Sequence, residues 1–379
     1  MTDNTPVVVS AKRTAQGKED GALADIRSED LSIPLVNTML SESGVNPDDV
    51  DDVMWGCAQQ RDEQSGNIAR QIAIFSELGE SVPGTTIDRQ CASSAQAIIS
   101  ASDAIAAGRR DVMFAGGVES MSRVKMGGGS GTMYPDLDER YGMENLSMGM
   151  TAEKVAEEYG VSRQEQDEYG LRSQERARKA TESGRFDDEI VPLETEEGTF
   201  DTDESIRNTD METLGSLPTV FKEDGSVTPG NASGIADGAA GVLLTSRDYA
   251  DEHDLDVLAE VGTNFVAGVD PTEMGVGPIP ATEGLLERSD RDIDEYGLVE
   301  INEAFASQCL YSAEQLGIDM DRLNVNGGAI SLGHPLGASG ARLPVTLVHE
   351  MNKQGVEHGI ATECVGFGQG AAIEFSLPN

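Results

Sequence analysis

The chain has 379 residues, enough for roughly two to three domains and a sizeable buried core. It carries 68 Asp and Glu against 27 Lys and Arg, and a net charge of −41 excludes partners that need a basic surface, namely nucleic acids and anionic membranes. The acidic residues are spread along the chain and most of the basic ones are Arg. This pattern favours a protein of a saline cytoplasm over an ordinary acidic protein.

Predicted strands and helices alternate through residues 1–117. The strands are predicted at 6–9, 53–56, 85–87 and 111–117, and the helices at 30–43, 67–78 and from Cys91 to about 107. Such alternation is typical of a buried, mainly parallel sheet. We therefore interpret residues 1–117 as the N-terminal half of an α/β fold.

Residues 118–245 depart from this pattern. They contain a glycine cluster at 127–131, a polar helix predicted over 151–183 and a strongly acidic stretch at 186–225. We expect a loop or cap domain here, followed by the end of the N-terminal half. It is interpreted either as a substrate lid or as a solvated insertion.

The alternation resumes in the C-terminal half, residues 246–379. Strands are predicted at 257–266, 296–301 and 371–375, and helices at 281–288 and 303–316. Each half contains a strand, a special loop residue, a small-residue helix and a strand that ends in glycines. This echo predicts a weak internal repeat of about half the chain.

The small number of cysteines and the lack of a long apolar segment indicate in which cellular compartment the protein is expected. The four cysteines are too few for a disulfide framework and form no Cys-x-x-Cys pair, so we expect free thiols and no metal site at Cys57, Cys91, Cys309 and Cys364. The N-terminal apolar run is short, and the longest uncharged stretch contains five glycines. The sequence therefore predicts a soluble cytoplasmic protein.

Cys91 is the first candidate for chemistry, because it lies between a predicted strand and the start of a small-residue helix. Unpaired N–H groups and the helix dipole stabilise a thiolate at such a position, so we expect a lowered pKa and a nucleophile. A buried structural cysteine is the alternative.

Three further residues lie in special loops. His334 is in a glycine-rich segment just before a predicted helix, where a neutral imidazole can take a thiol proton or donate to a carbonyl oxygen. Cys364 opens a predicted glycine loop whose G-x-G-x-G spacing does not fit a dinucleotide site. Asn302 lies at a strand-to-helix transition, where it either caps the helix or holds a catalytic water.

Four motifs, in this order, resemble those of the thiolase family, the group of acetyl-CoA C-acetyltransferases and 3-ketoacyl-CoA thiolases. They are CASS from Cys91, NEAFA from Asn302, GGAISLGHPLGASGAR around His334 and CVGFGQG from Cys364. The resemblance covers nearly the whole chain. It implies an α/β thiolase fold of two similar halves in α-β-α-β-α layers with an inserted loop domain. The acidic composition looks like that of haloarchaeal members.

The resemblance also implies a role for each matching residue. Cys91 is the nucleophile that becomes S-acylated, and His334 activates it and helps to hold the thioester oxygen. Asn302 fixes a water beside His334, and Cys364 is the acid and base for the α-carbon. The backbone N–H groups of Cys91 and Gly366 form the second oxyanion hole.

The implied substrates are coenzyme A thioesters, with no cofactor and no metal. The residues expected to line the pantetheine and acyl pocket are Ser233, Met148, Met274 and Phe305. The resemblance further implies a homodimer or homotetramer, with residues 59–69 near the dimer contact.

This sequence departs from the family pattern at three places. Phe367 stands where a small residue is usual, and it either shortens the acyl pocket or points into the core. Ser147 stands where many members have His, and residues 217–221 lack an arginine found near the CoA phosphates. The cations considered as replacements are Arg123, Lys125, Arg207 and Lys222.

The leading function is acetyl-CoA C-acetyltransfer, which joins two acetyl-CoA into acetoacetyl-CoA and CoA through an S-acyl-cysteine. One alternative is a broader 3-ketoacyl-CoA thiolase of fatty-acid degradation. Another is a non-catalytic, partner-dependent acyl-CoA-binding subunit. Phe367 slightly favours short chains, and the presence of Cys91, His334 and Cys364 together disfavours a non-catalytic protein.

Overall fold

The computed structural model describes residues 3–127 and 133–378, so most of the predicted glycine cluster at 127–131 lies outside the described residues. No helix within the described part of the chain is long and apolar enough to cross a membrane. All four cysteines are described, and each is a buried free thiol.

The N-terminal half contains every strand and helix that the sequence predicts for it. Its elements are β1 (Pro6–Thr14), β2 (Gly17–Lys18), α1 (Ser28–Ser43), β3 (Asp52–Gly56), α2 (Ile68–Phe75), β4 (Gly84–Ile87), α3 (Ser93–Ala106) and β5 (Val112–Ser120). Helix α1 ends at Gly44, which takes the left-handed conformation that closes a helix, with φ 76°.

The excursion from the sheet is largely helical. Its elements are α4 (Asp136–Tyr141), α5 (Met148–Tyr159), α6 (Arg163–Glu182), β6 (Ile190–Val191), β7 (Leu193–Thr195), β8 (Gly198–Phe200) and α7 (Met211–Ser216). The prediction of one polar helix over 151–183 is wrong. Gly160 ends α5 in the left-handed conformation, and Ser162 then begins α6 with a capping box to Glu165.

The remainder of the chain returns to the sheet. Its elements are β9 (Ala236–Ser246), α8 (Arg247–Glu252), β10 (Ala259–Gly268), α9 (Pro278–Ser289), β11 (Leu298–Ile301), α10 (Ala306–Leu316), α11 (Ala329–Leu332), α12 (Leu336–Gln354), β12 (His358–Val365) and β13 (Gln369–Ser376). Strand β9 is buried along its whole length and lies between β1 and β5. The end of the inserted segment is therefore part of the central sheet.

The order of the strands shows that the two halves are similar. The path runs β11-β12-β13-β10-β1-β9-β5-β3-β4, so the same arrangement is met going outward from the β1–β10 pair in both directions. In each direction the first two pairings are antiparallel and the third is parallel. The predicted mainly parallel sheet is wrong. The sheet is mixed, because β9 and β13 run against both of their neighbours.

Helices α3 and α12 form the central layer and pack on strands of both halves. Helices α1 and α2 cover the outer face of the N-terminal half, and α9 and α10 cover that of the C-terminal half. The two central helices approach closely because α12 has a glycine at Gly340, where an added Cβ would lie 2.6 Å from the Ala95 nitrogen. The segments just before α3 and α12, which hold Cys91 and His334, are thereby brought together.

Candidate active site

Cys91 lies in a tight turn between β4 and α3. Gln90 has a positive φ of 49°, and Ser93 fixes the turn. The Ser93 hydroxyl donates to the Gln90 carbonyl at 2.6 Å and accepts from the Arg89 N–H at 3.0 Å. The thiol is thereby held in a buried apolar cluster formed with Ala58, Met121 and Leu336.

The electrostatics of Cys91 contradict the sequence prediction. Burial, followed by the charge of Glu363, raises the pKa of its thiol to about 12. The N–H groups of Gly366 and of Cys91 itself face the sulfur and oppose this rise. The expected lowering of the pKa is wrong for the free protein, because the loss of water outweighs the helix start and these amides. Cys91 consequently needs a base.

His334 is buried in the loop between α11 and α12, and one hydrogen bond fixes its tautomer. Its Nδ1 lies 2.6 Å from the Ser339 hydroxyl, which itself donates to the Pro335 carbonyl at 3.0 Å. Since a hydroxyl has one proton, the Ser339 oxygen accepts from His334 Nδ1–H, and Nε2 keeps its lone pair. Burial, aided by the charge of Arg342, lowers the pKa of His334 to about 3, so the ring is neutral at physiological pH.

Asn302 directly follows β11 and faces the same imidazole. Its Nδ2 lies 3.4 Å from both ring nitrogens of His334, and its Oδ1 is buried without a partner among the described residues. The helix-cap alternative is wrong, because α10 begins only at Ala306 and Phe305 occupies the position before it. The water-holding role stays a prediction, and the free amide oxygen is compatible with it.

Cys364 lies within β12, opposite Gly370 of β13, and not in a loop as the sequence suggested. The turn comes after it, with Phe367 and Gly368 at φ values of 62° and 73°. Burial raises the pKa of Cys364 well above its usual value, and the nearby Cys91 raises it further. The two thiols are thus close enough for their charges to interact, which disfavours ionisation of both at once.

The predicted substrate residues gather on one wall beside Cys364. Three of them, Met148, Met274 and Phe305, share an apolar cluster with this cysteine. The other members of the cluster are Ala152, Val227, Ala232 and Ala304. Ser233 joins the same wall, because its N–H donates to the Ala304 carbonyl at 3.0 Å. Phe221 packs edge-on against Phe305 with 6.2 Å between ring centroids, and so the loop domain encloses this side of the site.

Two buried carboxylates that the sequence analysis missed hold the loops in place. Glu119 accepts N–H groups at 2.9–3.1 Å from Ala58, Gln59 and Gly337, which joins the start of α12 to the segment at 59–69. Glu303 accepts from four donors on the loop domain and the His334 segment, namely Tyr169, Ser173, Asn324 and Ile330. The signal available in the sequence was an acidic residue within or just after a buried strand, since Glu119 lies in β5 and Glu303 lies two residues after β11.

The cations considered for the CoA phosphates are mostly occupied. Three of them already pair with carboxylates: Arg123 with Glu63 at 2.9 Å, Lys125 with Asp20 at 3.2 Å, and Lys222 with Glu157 at 2.7 Å. The fourth, Arg207, is exposed. A phosphate that binds any of these three cations must replace the carboxylate that is paired with it.

An open cleft of about 1040 Å³ adjoins the two cysteine segments. Gln90, Phe367 and Pro271 line it together with residues of the segment 133–141. The lining residues of that segment are the apolar or aromatic Met133, Tyr134, Leu137 and Tyr141 and the charged Asp136, Glu139 and Arg140. Phe367 is half-buried and lines this cleft, so its side chain is not part of the core.

Two family descriptions together match nearly the whole chain. Residues 6–248 match "Thiolase, N-terminal domain" and residues 255–376 match "Thiolase, C-terminal domain". The predicted division into 1–117, 118–245 and 246–379 stays a prediction.

Named relatives align along the full length. A 3-ketoacyl-CoA thiolase of Bacillus subtilis is 42% identical over 98% of this chain and 99% of its own. An acetyl-CoA acetyltransferase of Chromobacterium violaceum is 43% identical with the same coverage. The crystal structure of human mitochondrial 3-ketoacyl-CoA thiolase in complex with CoA superposes with a TM-score of 0.92 at 38% identity, covering 100% of this chain and 99% of that one.

Proposed function

The chain belongs to the thiolase family of acyltransferases, and we propose that within it this enzyme catalyses acetyl-CoA C-acetyltransfer. Two acetyl-CoA would form acetoacetyl-CoA and CoA, and the reaction is reversible. One observation carries the proposal: two buried thiols lie close enough for their charges to interact, in a site with a buried neutral histidine that carries its proton on Nδ1 and keeps the Nε2 lone pair as a base. A covalent acyl carrier and a separate base for carbon are what a Claisen condensation needs.

In the first half-reaction His334 Nε2 takes the proton of Cys91, and the thiolate attacks the carbonyl carbon of acetyl-CoA. The N–H groups of Cys91 and Gly366 hold the resulting oxyanion. The C–S bond to CoA then breaks, and the CoA sulfur leaves with the proton from His334. Acetyl-Cys91 remains on the enzyme.

In the second half-reaction the proton of Cys364 passes to His334 Nε2, and the Cys364 thiolate takes an α-proton from a second acetyl-CoA. The enolate oxygen is held by His334 Nε2–H and by a water on Asn302, and the carbanion attacks acetyl-Cys91. Collapse of the tetrahedral intermediate releases acetoacetyl-CoA, and the Cys91 thiolate takes the proton back from His334. The apolar wall of Met148, Met274 and Phe305 would shield the carbanion from water.

The cleft at Phe367 favours a second candidate, a 3-ketoacyl-CoA thiolase of broader chain length. Its volume of about 1040 Å³ exceeds what an acetyl group needs, and apolar and aromatic side chains such as Leu137 and Phe367 line part of it beside charged ones. Because Phe367 lines the cleft instead of blocking the cluster around Cys364, it gives no reason to restrict the enzyme to short chains.

The deciding experiment compares CoA-dependent cleavage of acetoacetyl-CoA and of 3-ketooctanoyl-CoA in molar salt. Cleavage of acetoacetyl-CoA alone supports the acetyltransferase, and comparable rates on both support the broader thiolase. If the folded protein cleaves neither thioester, both proposals fail and the non-catalytic alternative gains support.

We further propose a cytoplasmic homodimer or homotetramer that uses no cofactor besides its CoA thioesters. Strand β4 lies at the end of the described sheet path, close in the chain to the segment at 59–69. The free N–H and C=O groups of such an edge are a site for a second copy. The high acidity suits a cytoplasm like that of haloarchaea.

A further inference from the structure

A buried charged cluster, distinct from the residues of the mechanism, lies next to the two cysteines. Its members are Glu300 on β11, Arg342 on α12 and Glu363 on β12, with 3%, 1% and 1% of their surfaces exposed. Arg342 Nη1 donates to Glu300 at 3.2 Å. The other guanidinium nitrogens Nε and Nη2, and both carboxyl oxygens of Glu363, have no partner among the described residues.

Glu363 is adjacent to Cys364 in β12, so its side chain points to the opposite face of the sheet. That face is packed against the central helices. A Cβ added at Gly340 of α12 would lie 2.5 Å from Glu363 Oε1 and 2.6 Å from the Ala95 nitrogen of α3. The carboxyl group therefore lies between the two helices that follow the nucleophile and the base.

One guanidinium cannot neutralise two carboxylates in this dry environment. Burial raises the pKa of Glu300 to about 8 and that of Glu363 well above its usual value, and Arg342 opposes both shifts. The other charged groups acting on Glu300 are Glu303 and Glu189, and both are acids. The three groups are therefore neutral overall when they hold one proton between the two carboxyls.

The charge of this cluster reaches the catalytic groups. An ionised Glu363 raises the pKa of Cys91 and of Cys364, and Arg342 helps to keep His334 neutral. Loss of the Glu363 proton would therefore make both thiols harder to ionise. Protonation of the cluster and formation of a thiolate are linked.

We propose that Glu363 is a positioning residue that keeps its proton beside the Glu300–Arg342 pair and thereby keeps uncompensated negative charge away from both cysteines. The proposal rests on the proposed function of these cysteines. It adds a proton-holding site on the rear face of β12 that controls their reactivity.

The test follows the alkylation of Cys91 by iodoacetamide from pH 6 to 10, quantified by mass spectrometry, in wild type and Glu363→Gln. Gln keeps the size of the side chain and removes its charge. At the acid end of this range the two proteins should react alike, because burial raises the pKa of Glu363 and its carboxyl is uncharged there. Once wild type loses the Glu363 proton at higher pH, Glu363→Gln should react roughly three- to ten-fold faster, because wild type alone gains the extra charge.

The matched control is Glu350→Gln, which removes a buried acid from the distal part of α12, where Glu350 pairs with Arg185. Its alkylation curve should coincide with that of wild type. Coincident curves for Glu363→Gln and wild type, or a rate lowered equally at every pH, would overturn the proposal.

Two further measurements keep the test independent of folding and of turnover. If Glu363→Gln does not fold, Glu363→Met takes its place, and wild type must show a break in its own curve as the cluster loses its proton. A curve with a single thiol titration overturns the proposal. Because alkylation needs no substrate, failure of the proposal is distinguishable from failure of thioester cleavage.

Discussion

Cys91 and His334 depend on each other because both are buried. The thiol has a raised pKa and the imidazole a lowered one, so both groups are neutral in the free protein. A proton moves from sulfur to nitrogen only when the resulting charges are stabilised together, by each other and by the N–H groups at the sulfur. The reactivity of Cys91 therefore depends on the hydrogen bond that orients His334 and on the N–H groups that face the sulfur.

Replacement of the nucleophile tests this account directly. We expect Cys91→Ala to lower the rate of acetoacetyl-CoA cleavage by a factor of about a thousand or more, because the covalent carrier is lost. The matched control is Cys57→Ala, which removes another buried thiol. It should keep wild-type turnover within a few-fold. Normal turnover by Cys91→Ala would contradict the mechanism.

Ser339 fixes the tautomer of His334 and gives a second prediction. Ser339→Ala removes the acceptor for Nδ1–H, so the ring loses its orientation, and we expect kcat to fall on the order of ten-fold with little change in KM. Steady-state kinetics at saturating CoA measures both constants. Ser312→Ala, which removes a buried hydroxyl without a partner among the described residues, should leave kcat unchanged. An unaltered kcat in Ser339→Ala would show that the ring is oriented by other contacts.

At the scale of elements, the site exists because α3 and α12 pack closely. Gly340 permits this contact, since an added Cβ would lie within 2.6 Å of both Ala95 and Glu363. Small residues at the crossing bring the starts of the two helices together, and with them Cys91 and His334. The hairpin of β12 and β13 then supplies Cys364 and Gly366 from the other half.

Gly340→Ala should therefore destabilise the protein. We expect the free energy of unfolding in urea to fall by about 1–3 kcal/mol, because the central helices must separate to admit a methyl group. Gly215→Ala is the control, since Gly215 lies in the exposed helix α7 with open space around it. There alanine should be neutral or stabilising by up to about 1 kcal/mol. Equal stability of Gly340→Ala and wild type would mean that the helix crossing tolerates a wider spacing.

At the scale of the whole molecule, the charge of −41 opposes folding and association. Surface ion pairs such as Lys222–Glu157 are few beside the number of acids, and salt screens them as well. Salt weakens both the repulsion between acids and the attraction within ion pairs. Because the acids greatly outnumber the basic residues, the loss of repulsion is the larger effect.

Salt should consequently stabilise the folded protein. We expect the midpoint of thermal unfolding to rise by at least about 5 °C between 0.1 M and 2 M sodium chloride. Chloride is used in place of sulfate so that screening is separated from a general effect on apolar burial. A midpoint that stays constant or falls would show that the acidic surface is not an adaptation to high salt.

The alternating elements and the repeat of two halves could be predicted from the sequence alone. So could the candidate site residues Cys91, His334, Asn302 and Cys364, whose roles stay predictions. Glycines, helix starts and apolar runs involve residues that are close together in the chain, so they can be identified from the sequence without the fold. The break at Gly160 was equally local, and the interpretation of 151–183 as one helix overlooked it.

The remaining features could not be predicted, because they depend on how distant parts of the chain pack together. The mixed sheet, the place of β9 at its centre and the role of Ser339 depend on residues distant in the chain or on the orientation of one hydrogen bond. The pKa of Cys91 is the clearest case. The sequence showed the helix start, which stabilises a thiolate and would lower the pKa. Burial and the charge of Glu363, 272 residues further along the chain, raise it instead. Desolvation depends on how completely a group is enclosed, and enclosure is a property of the packed fold.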